Sequence, residues 1–264
     1  MNGSSKFRRT IWALTVAASL LPIFSGCDRN GGYKVQGNVL FLRGTVTLNR
    51  AKESTRRPQS LSTGSKFSVG DQLETSPGAT AAFLLIPGIF VQIGAETEMV
   101  IEELRVEKQG DAMVNAMKSR LAAVRQNRGV MYASLPNIGS GSCELSVQTD
   151  LGTLAAQRGT IVAVRLTSEA VRVICVDGEV QWSSVRGGRV EEISQGYFGD
   201  YHRHDASHGD LETELTPITE DAGAQNDVAI ALETAAAFDE FALRARNAPS
   251  LKSSHPVNPQ TTQP

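Results

Sequence analysis

Cys27 is the residue whose surroundings most narrow its chemistry. It follows Phe24-Ser25-Gly26, an apolar run from Ile11 to Ile23, and a basic patch of Lys6, Arg8 and Arg9. Basic, apolar and small residues in that order make an export signal over residues 1–26. The apolar run falls short of the roughly 20 residues a spanning helix needs. The tetrapeptide resembles a bacterial lipobox, with Phe24 where Leu is commoner. A lipobox cysteine is lipidated on its thiol and becomes the new N-terminus. Two or three acyl chains, at about 0.8 kcal/mol per buried methylene, would hold the chain on a membrane. Two further thiols, Cys143 and Cys175, would then sit in an oxidising compartment, where a disulfide is permitted. The other reading of the pair is two small buried thiols. His202, His204 and His208, with Asp205 and Asp210, form the one metal-like cluster. Imidazoles so close could take zinc or copper if a turn gathered them. Arg203 among them would repel a cation, which favours a polar linker.

Other constellations point away from catalysis. Gly139-Ser140-Gly141-Ser142 lacks the Lys-Ser/Thr of a phosphate loop. No Gly-x-Ser-x-Gly elbow occurs. No histidine lies between residues 36 and 201, so no triad can be drawn there. Glu96, Glu98, Glu102 and Glu103 read as a solvated strand edge. Trp182 and Tyr132 could stack on sugars, though core or rim positions are the commoner fate of such aromatics. Arg43, Arg128 and Arg158 each precede a glycine, which reads as turn chemistry rather than an anion site. No cofactor is expected. From Cys27 onward the chain holds 23 basic and 28 acidic side chains, a surface with no claim on nucleic acid.

The elements that would position these residues are strands. Residues 27–35 read as a tether. From 36 to 201, short β-branched runs alternate with Gly, Pro, Asn and Asp, which predicts an all-β domain. Ala81 to Ile86 and Ile89 to Ile93 are apolar on both faces, so both strands should be covered on both sides. Pro87-Gly88 between them suits a type II turn. Ile161 to Leu166 and Val171 to Val176 form a second pair. Met113, Met117, Leu121 and Val124 fall at helical spacing, with Asp111 to cap them, which predicts a short helix over 111–119 and a strand after it.

Two likenesses in order suggest a duplication, with halves at about 36–105 and 120–201. Thr75-Ser76-Pro77-Gly78 matches Thr149-Asp150-Leu151-Gly152, and Arg43-Gly44 matches Arg128-Gly129. Each half-sheet would bury an apolar face that it cannot bury alone. Residues 202–226 read as a polar linker. Over 227–247, Val228, Leu232, Ala235, Phe238 and Ala242 share one helical face, with Asn226 or Asp227 as cap and Pro249 as stop. Residues 248–264 have the composition of a disordered tail.

Gly70-Asp71-Gln72-Leu73-Glu74-Thr75, with Gly78 and Gly94 after it, resembles the first half of a FecR domain. Thr149 to Gly152, Arg158-Gly159-Thr160 and Asp177-Gly178-Glu179-Val180 resemble its second half. Phe238-Asp239-Glu240-Phe241 is similar to a helical tail of some members, with Phe241 where Trp is usual. The resemblance implies a duplicated β-sandwich or β-roll of the periplasm. Together with the lipobox and the missing catalytic set, it leads to an expected role in protein binding or signal relay, with recognition by strand addition at exposed edges. Family members of the best-known kind carry a cytoplasmic anti-sigma segment and a spanning helix, for which the lipid signal here stands in. The expected setting is the bacterial cell envelope, lipid-anchored on the inner or the outer membrane. A glycan-binding or structural envelope role is the second expectation, and a metal-binding role the third.

Overall fold

The computed structural model describes residues 33–51, 58–108, 117–138, 141–185, 190–203 and 214–247. The first half holds β1 (Tyr33–Lys34), β2 (Gly37–Arg43), β3 (Val46–Asn49), β4 (Gln59–Ser60), β5 (Lys66–Phe67), β6 (Gln72–Thr75), β7 (Thr80–Ile86), β8 (Ile89–Ile93) and β9 (Glu98–Lys108). A long β10 (Met117–Leu135) leads to β11 (Ser142–Gln148), β12 (Gly152–Gln157), β13 (Thr160–Leu166), β14 (Ala170–Asp177), β15 (Glu179–Ser184), β16 (Val190–Ser194), β17 (Tyr197–His202) and β18 (Thr216–Pro217). One helix follows, α1 (Ala222–Asn247). Among the described residues the chain is mostly β-sheet with a single C-terminal α-helix, as the sequence pattern predicts.

The strands make two sheets. Sheet A runs β4-β3-β6-β9-β10-β11-β12-β15-β16, with β1 also on β9. Sheet B runs β5-β2-β7-β8-β10-β13-β14-β17-β18. β10 pairs in sheet A along its first half and in sheet B along its second. The remaining long strands do the same in two pieces: β2–β3, β6–β7, β8–β9, β12–β13, β14–β15 and β16–β17. Each bent strand lies antiparallel to the next in sequence. Only β11, parallel to β10, is slipped in between. The fold is therefore one meander creased along a line.

A crease demands backbone that L-residues resist, and glycine supplies it. Each of the seven bends carries one residue with positive φ: Gly44, Gly78, Glu96, Gly129, Gly159, Gly178 and Gly196. At Gly129 (φ 87°) sterics forbid a side chain as well. A Cβ there would overlap Thr97 Oγ1 and lie 2.5 Å from Thr97 Cα.

Folding the sheet on itself buries the main core. Val46, Leu73, Met99, Val124, Leu145, Leu154 and Trp182 from sheet A meet Val39, Phe83, Val91, Met131, Val162, Val164 and Val173 from sheet B. Sheet A keeps a polar outer face, and along β9 Met99, Ile101 and Val106 are buried while Glu98, Glu102 and Glu107 are not. Sheet B is covered on its outer face too. There Val130, Tyr132, Ala163, Ile174 and Phe198 pack against Ala224 and Ala231 of α1, and Ala82 and Phe90 pack against Phe238. This explains why β7 and β8 show no polar alternation.

Four expectations need correction. Residues 117–119 are strand, not helix, because β9 and β11 supply ladders to both sides of β10 and override the local period. Residues 111–116 lie outside the described residues. The Glu98–Glu103 carboxylates sit on the outer face of an interior strand, not on an edge. The helix starts at Ala222 rather than 227, and its buried face is Ala224, Asp227, Ala231, Thr234, Ala235 and Phe238, leaving Leu232 exposed. The matched tetrapeptides do not occupy equivalent places in the two halves of the sheet order. The hairpin β6–β7/β8–β9 has the connectivity of β12–β13/β14–β15. Gly78 therefore corresponds to Gly159, whereas Thr149 and Gly152 close the β11–β12 turn within sheet A.

Candidate functional site

The densest polar cluster lies between α1 and sheet B. The turn at residues 167–169 sets Arg165 on β13 opposite Arg172 on β14. Like charges so placed repel, and three carboxylates answer them. Asp227, almost fully buried on α1, accepts from Arg165 Nε at 2.9 Å, from Arg165 Nη2, and from Tyr132 Oη at 3.0 Å. Arg172 donates from Nε and Nη2 to Asp200, each at 2.7 Å, and from Nη1 to Asp221 at 2.9 Å. Its guanidinium carbon sits 4.6 Å from the centroid of the Phe198 ring. Asp221 also caps the helix, accepting from Ala224 N at 2.6 Å.

These groups are committed to one another. Burial, then the Asp227 carboxylate, pushes the Tyr132 phenol above its ordinary range. The hydrogen bond to Asp227 raises Arg165, and the bonds to Asp200 raise Arg172. The helix-cap hydrogen bond from Ala224, with Arg172 beside it, lowers Asp221.

A second feature is a cleft of about 460 Å³ at the bends of the first half, lined by Thr45, Thr47, Glu74, Ser76, Glu96 and Arg128 among others. Arg128 pairs with Glu74 across it, and its Nε lies 3.8 Å from Glu98. Thr75 Oγ1 anchors its floor, donating to Gly94 O at 2.6 Å and accepting from Thr97 N at 2.9 Å. Arg128 is thus committed to carboxylates, and the cleft offers hydroxyl groups.

The sequence-selected residues scatter. Cys27 lies outside the described residues. Cys143 and Cys175 are buried and unbridged, on β11 and β14; Cys143 Sγ donates to Gly88 O at 3.5 Å, and Cys175 Sγ to Gly178 O at 3.4 Å. The disulfide is not formed. Burial pushes the Cys143 thiol up, and burial with Asp177 and Glu179 pushes Cys175 up to about 12, so burial disfavours the thiolate at both. His202 ends β17, while His204 and His208 lie outside the described residues. Among the described residues no three potential ligands converge. Trp182 is buried and stacks on Tyr201 at 4.6 Å, and Tyr132 is spent on Asp227. Neither can face a sugar, which removes the aromatic basis of the glycan expectation. Of the motif positions, Asp71 is buried and accepts from Ser68 N at 2.9 Å. Gly70 (φ 87°) closes the turn before it. Thr160 is buried with its hydroxyl 3.4 Å from Glu179 O. All of these shape turns.

The Arg165–Asp227–Tyr132 cluster escaped the sequence reading. Asp227 reads locally as a cap, and only the facing of Arg165 and Arg172 across a short hairpin signals paired cations in need of acids.

No family model matches the chain, and no curated protein does. Among solved structures, two crystal structures of a putative anti-sigma factor from Parabacteroides distasonis ATCC 8503 are similar. They share 14% and 15% identity with this chain, each with a TM-score of 0.37. The match covers 55% of this chain and 59% of the other, so the chain spans less than two thirds of that protein. A likeness of that depth carries no argument about partners or mechanism.

Proposed function

We infer that this chain is a non-enzymatic recognition or signal-relay module of the bacterial cell envelope. It is a FecR-like domain, carried on a lipid anchor at Cys27 and facing the periplasm. The order of the FecR-like motifs and the export signal with its Cys27 support this reading. The observation that carries it is where the fold spends its ionisable groups. Tyr132, Arg165, Arg172, Asp200, Asp221 and Asp227 are consumed in pinning α1, and the thiols are pushed away from their reactive form. What the molecule offers outward is strand edges and exposed apolar side chains, among them Phe41, Val185 and Val190. Such surfaces recognise a partner and do not turn over a substrate.

Growth on labelled palmitate followed by envelope crosslinking tests the reading. Label should enter the chain and vanish in Cys27→Ser, and crosslinking should trap a partner. An unlabelled chain that stays in the cytoplasm, or a lone monomer in the envelope, overturns it.

A further inference from the structure

The edge of sheet B is half occupied by the chain itself. Residues 64–67 run beside the start of β2, pairing Phe67 with Gly37 and Lys66 with Asn38. Val39 closes the run, donating to Ser65 O at 2.9 Å and accepting from Gly64 N at 2.8 Å. Gly64, at φ 83°, then takes the chain away. From Leu40 to Arg43 the inner side of β2 stays on β7. Among the described residues no backbone group pairs with the outer side of Leu40–Arg43. Alternate residues there present N–H and C=O groups to an open lane, in line with β5.

An apolar surface borders the lane. A bulge after Val39 brings Phe41 opposite Ala82, on the outer face of sheet B, and Leu40 packs against the same cluster. Phe41 is 55% exposed. Beside it lie Leu84 and Phe90, and Phe241 of α1 meets Phe90 edge-on at 6.5 Å while remaining 40% exposed. The strands around the lane carry charge of one sign, while the acids nearest Phe241, Asp239 and Glu240, are on α1. Arg43 and Lys66 are exposed at its two ends, and β2, β5, β7 and β8 contain no acidic residue. Neither cation has a carboxylate partner among the described residues.

We propose that the outer edge of Leu40–Arg43 receives an extended segment of an envelope protein, one with acidic residues two positions to either side of an apolar residue, so that all three share the face of Phe41, Arg43 and Lys66. The segment adds a strand to sheet B in continuation of β5. Its central apolar side chain settles on Phe41 and the Leu84–Phe241 surface, and the carboxylates two residues away on the same face meet Arg43 and Lys66. The open ladder fixes the extended conformation, the aromatic surface fixes the apolar positions, and the unanswered cations fix the charge. This assignment rests on the recognition reading above and names its surface.

Two measurements on the full chain test it. In titrations, an acetylated ten-residue peptide with glutamates two residues to either side of a valine and serine elsewhere should bind, and its counterpart with lysine in place of glutamate should not. Phe41→Ala and the double variant Arg43→Glu/Lys66→Glu should each weaken binding at least tenfold, with melting temperatures unchanged within a few degrees. Equal binding of both peptides, or unchanged binding by Phe41→Ala, overturns the proposal. In envelopes, a photo-crosslinking amino acid placed at position 41 should trap a partner, and one at exposed Leu232 should not. Trapping at 232 alone overturns the edge assignment and leaves the recognition reading standing. Trapping at neither position defeats both, and an adduct of twice the chain's own mass shows self-association and overturns the assignment to another protein.

Discussion

Gly129 and Gly159 sit at bends of the same kind with almost the same φ, 87° and 89°, yet their surroundings differ. A Cβ at Gly159 meets nothing within 4 Å, so Gly159→Ala should cost only the left-handed backbone strain, about 1 kcal/mol. At Gly129 the strain is joined by collision with the Thr97 backbone, and Gly129→Ala should cost about 3 to 4 kcal/mol. Urea unfolding of the two variants separates the terms, and equal losses would mean that the bends are not sterically closed. Asp227 makes a second case. Asp227→Asn leaves Arg165 facing a neutral group, and because Arg165 is partly open to water the loss should be about 2 to 3 kcal/mol rather than the 3 to 5 of a fully buried pair. A double-mutant cycle with Tyr132→Phe should show coupling between the two sites, since both hydrogen bonds end on one carboxylate. These two residues also mark what a sequence can tell. The glycines of the bends are visible as glycines, since a positive φ leaves its trace in composition. The Asp227 carboxylate looks like any acidic residue near a helix start, because its role is decided by Tyr132 and Arg165 far away in sequence.

At the level of elements, α1 is held at one end by charge and at the other by rings. Phe238 stacks on Phe90 at 4.6 Å, while Asp221 both caps the helix and accepts from Arg172. Asp221 carries the pH dependence. Its carboxyl is lowered in the fold, so the contribution is complete above its unfolded value, near pH 4. It is lost as pH falls through the lower folded value. Hydrogen exchange of the helix should therefore be flat from pH 7 to 5 and accelerate, relative to the sheet, below about pH 4. In Asp221→Asn the cap acceptor survives but the titration is gone, and the acid step should shrink. An unchanged acid step would assign it to another carboxylate. The helix itself was legible from its apolar spacing, but its rotation was not. Leu232 fits the expected stripe, yet small Ala224, Ala231 and Thr234 are the fully covered positions, with Val228 and Ile230 packed at the margin, because a helix laid close over Tyr132 and Phe198 favours short side chains along its centre. The reverse error arose at β10, where Met117, Leu121 and Val124 keep a helical period inside a strand. Pairing with β9 and β11 is a long-range fact that no local window contains.

Over the whole molecule, the creased meander makes two unequal sheets. Sheet A needs only the other sheet, because its outer face carries Glu, Gln, Ser and Thr side chains such as Glu102, Gln181, Ser146 and Thr153. Sheet B needs two covers, and the sequence announces this in the unbroken apolar runs of β7 and β8. It does not announce which segment is the second cover. That follows from the fold's arithmetic: with every long strand already in the crease, α1 is the described element left to shield Val130, Ile174, Phe198 and Phe90. A chain ended after Asp221 should keep its two sheets and expose that face, together with Arg165 opposite Arg172 and no Asp227 between them. An apolar face of this kind drives association. The shortened chain should bind a hydrophobic dye and sediment as oligomers, and a peptide spanning 222–247 added in trans should reverse both. The same peptide carrying Asp227→Asn and Phe238→Ala should fail, since it lacks both holds. A shortened chain that stayed monomeric and dye-silent would show that sheet B tolerates water on its outer face, and that α1 is an appendage rather than the third layer of the fold.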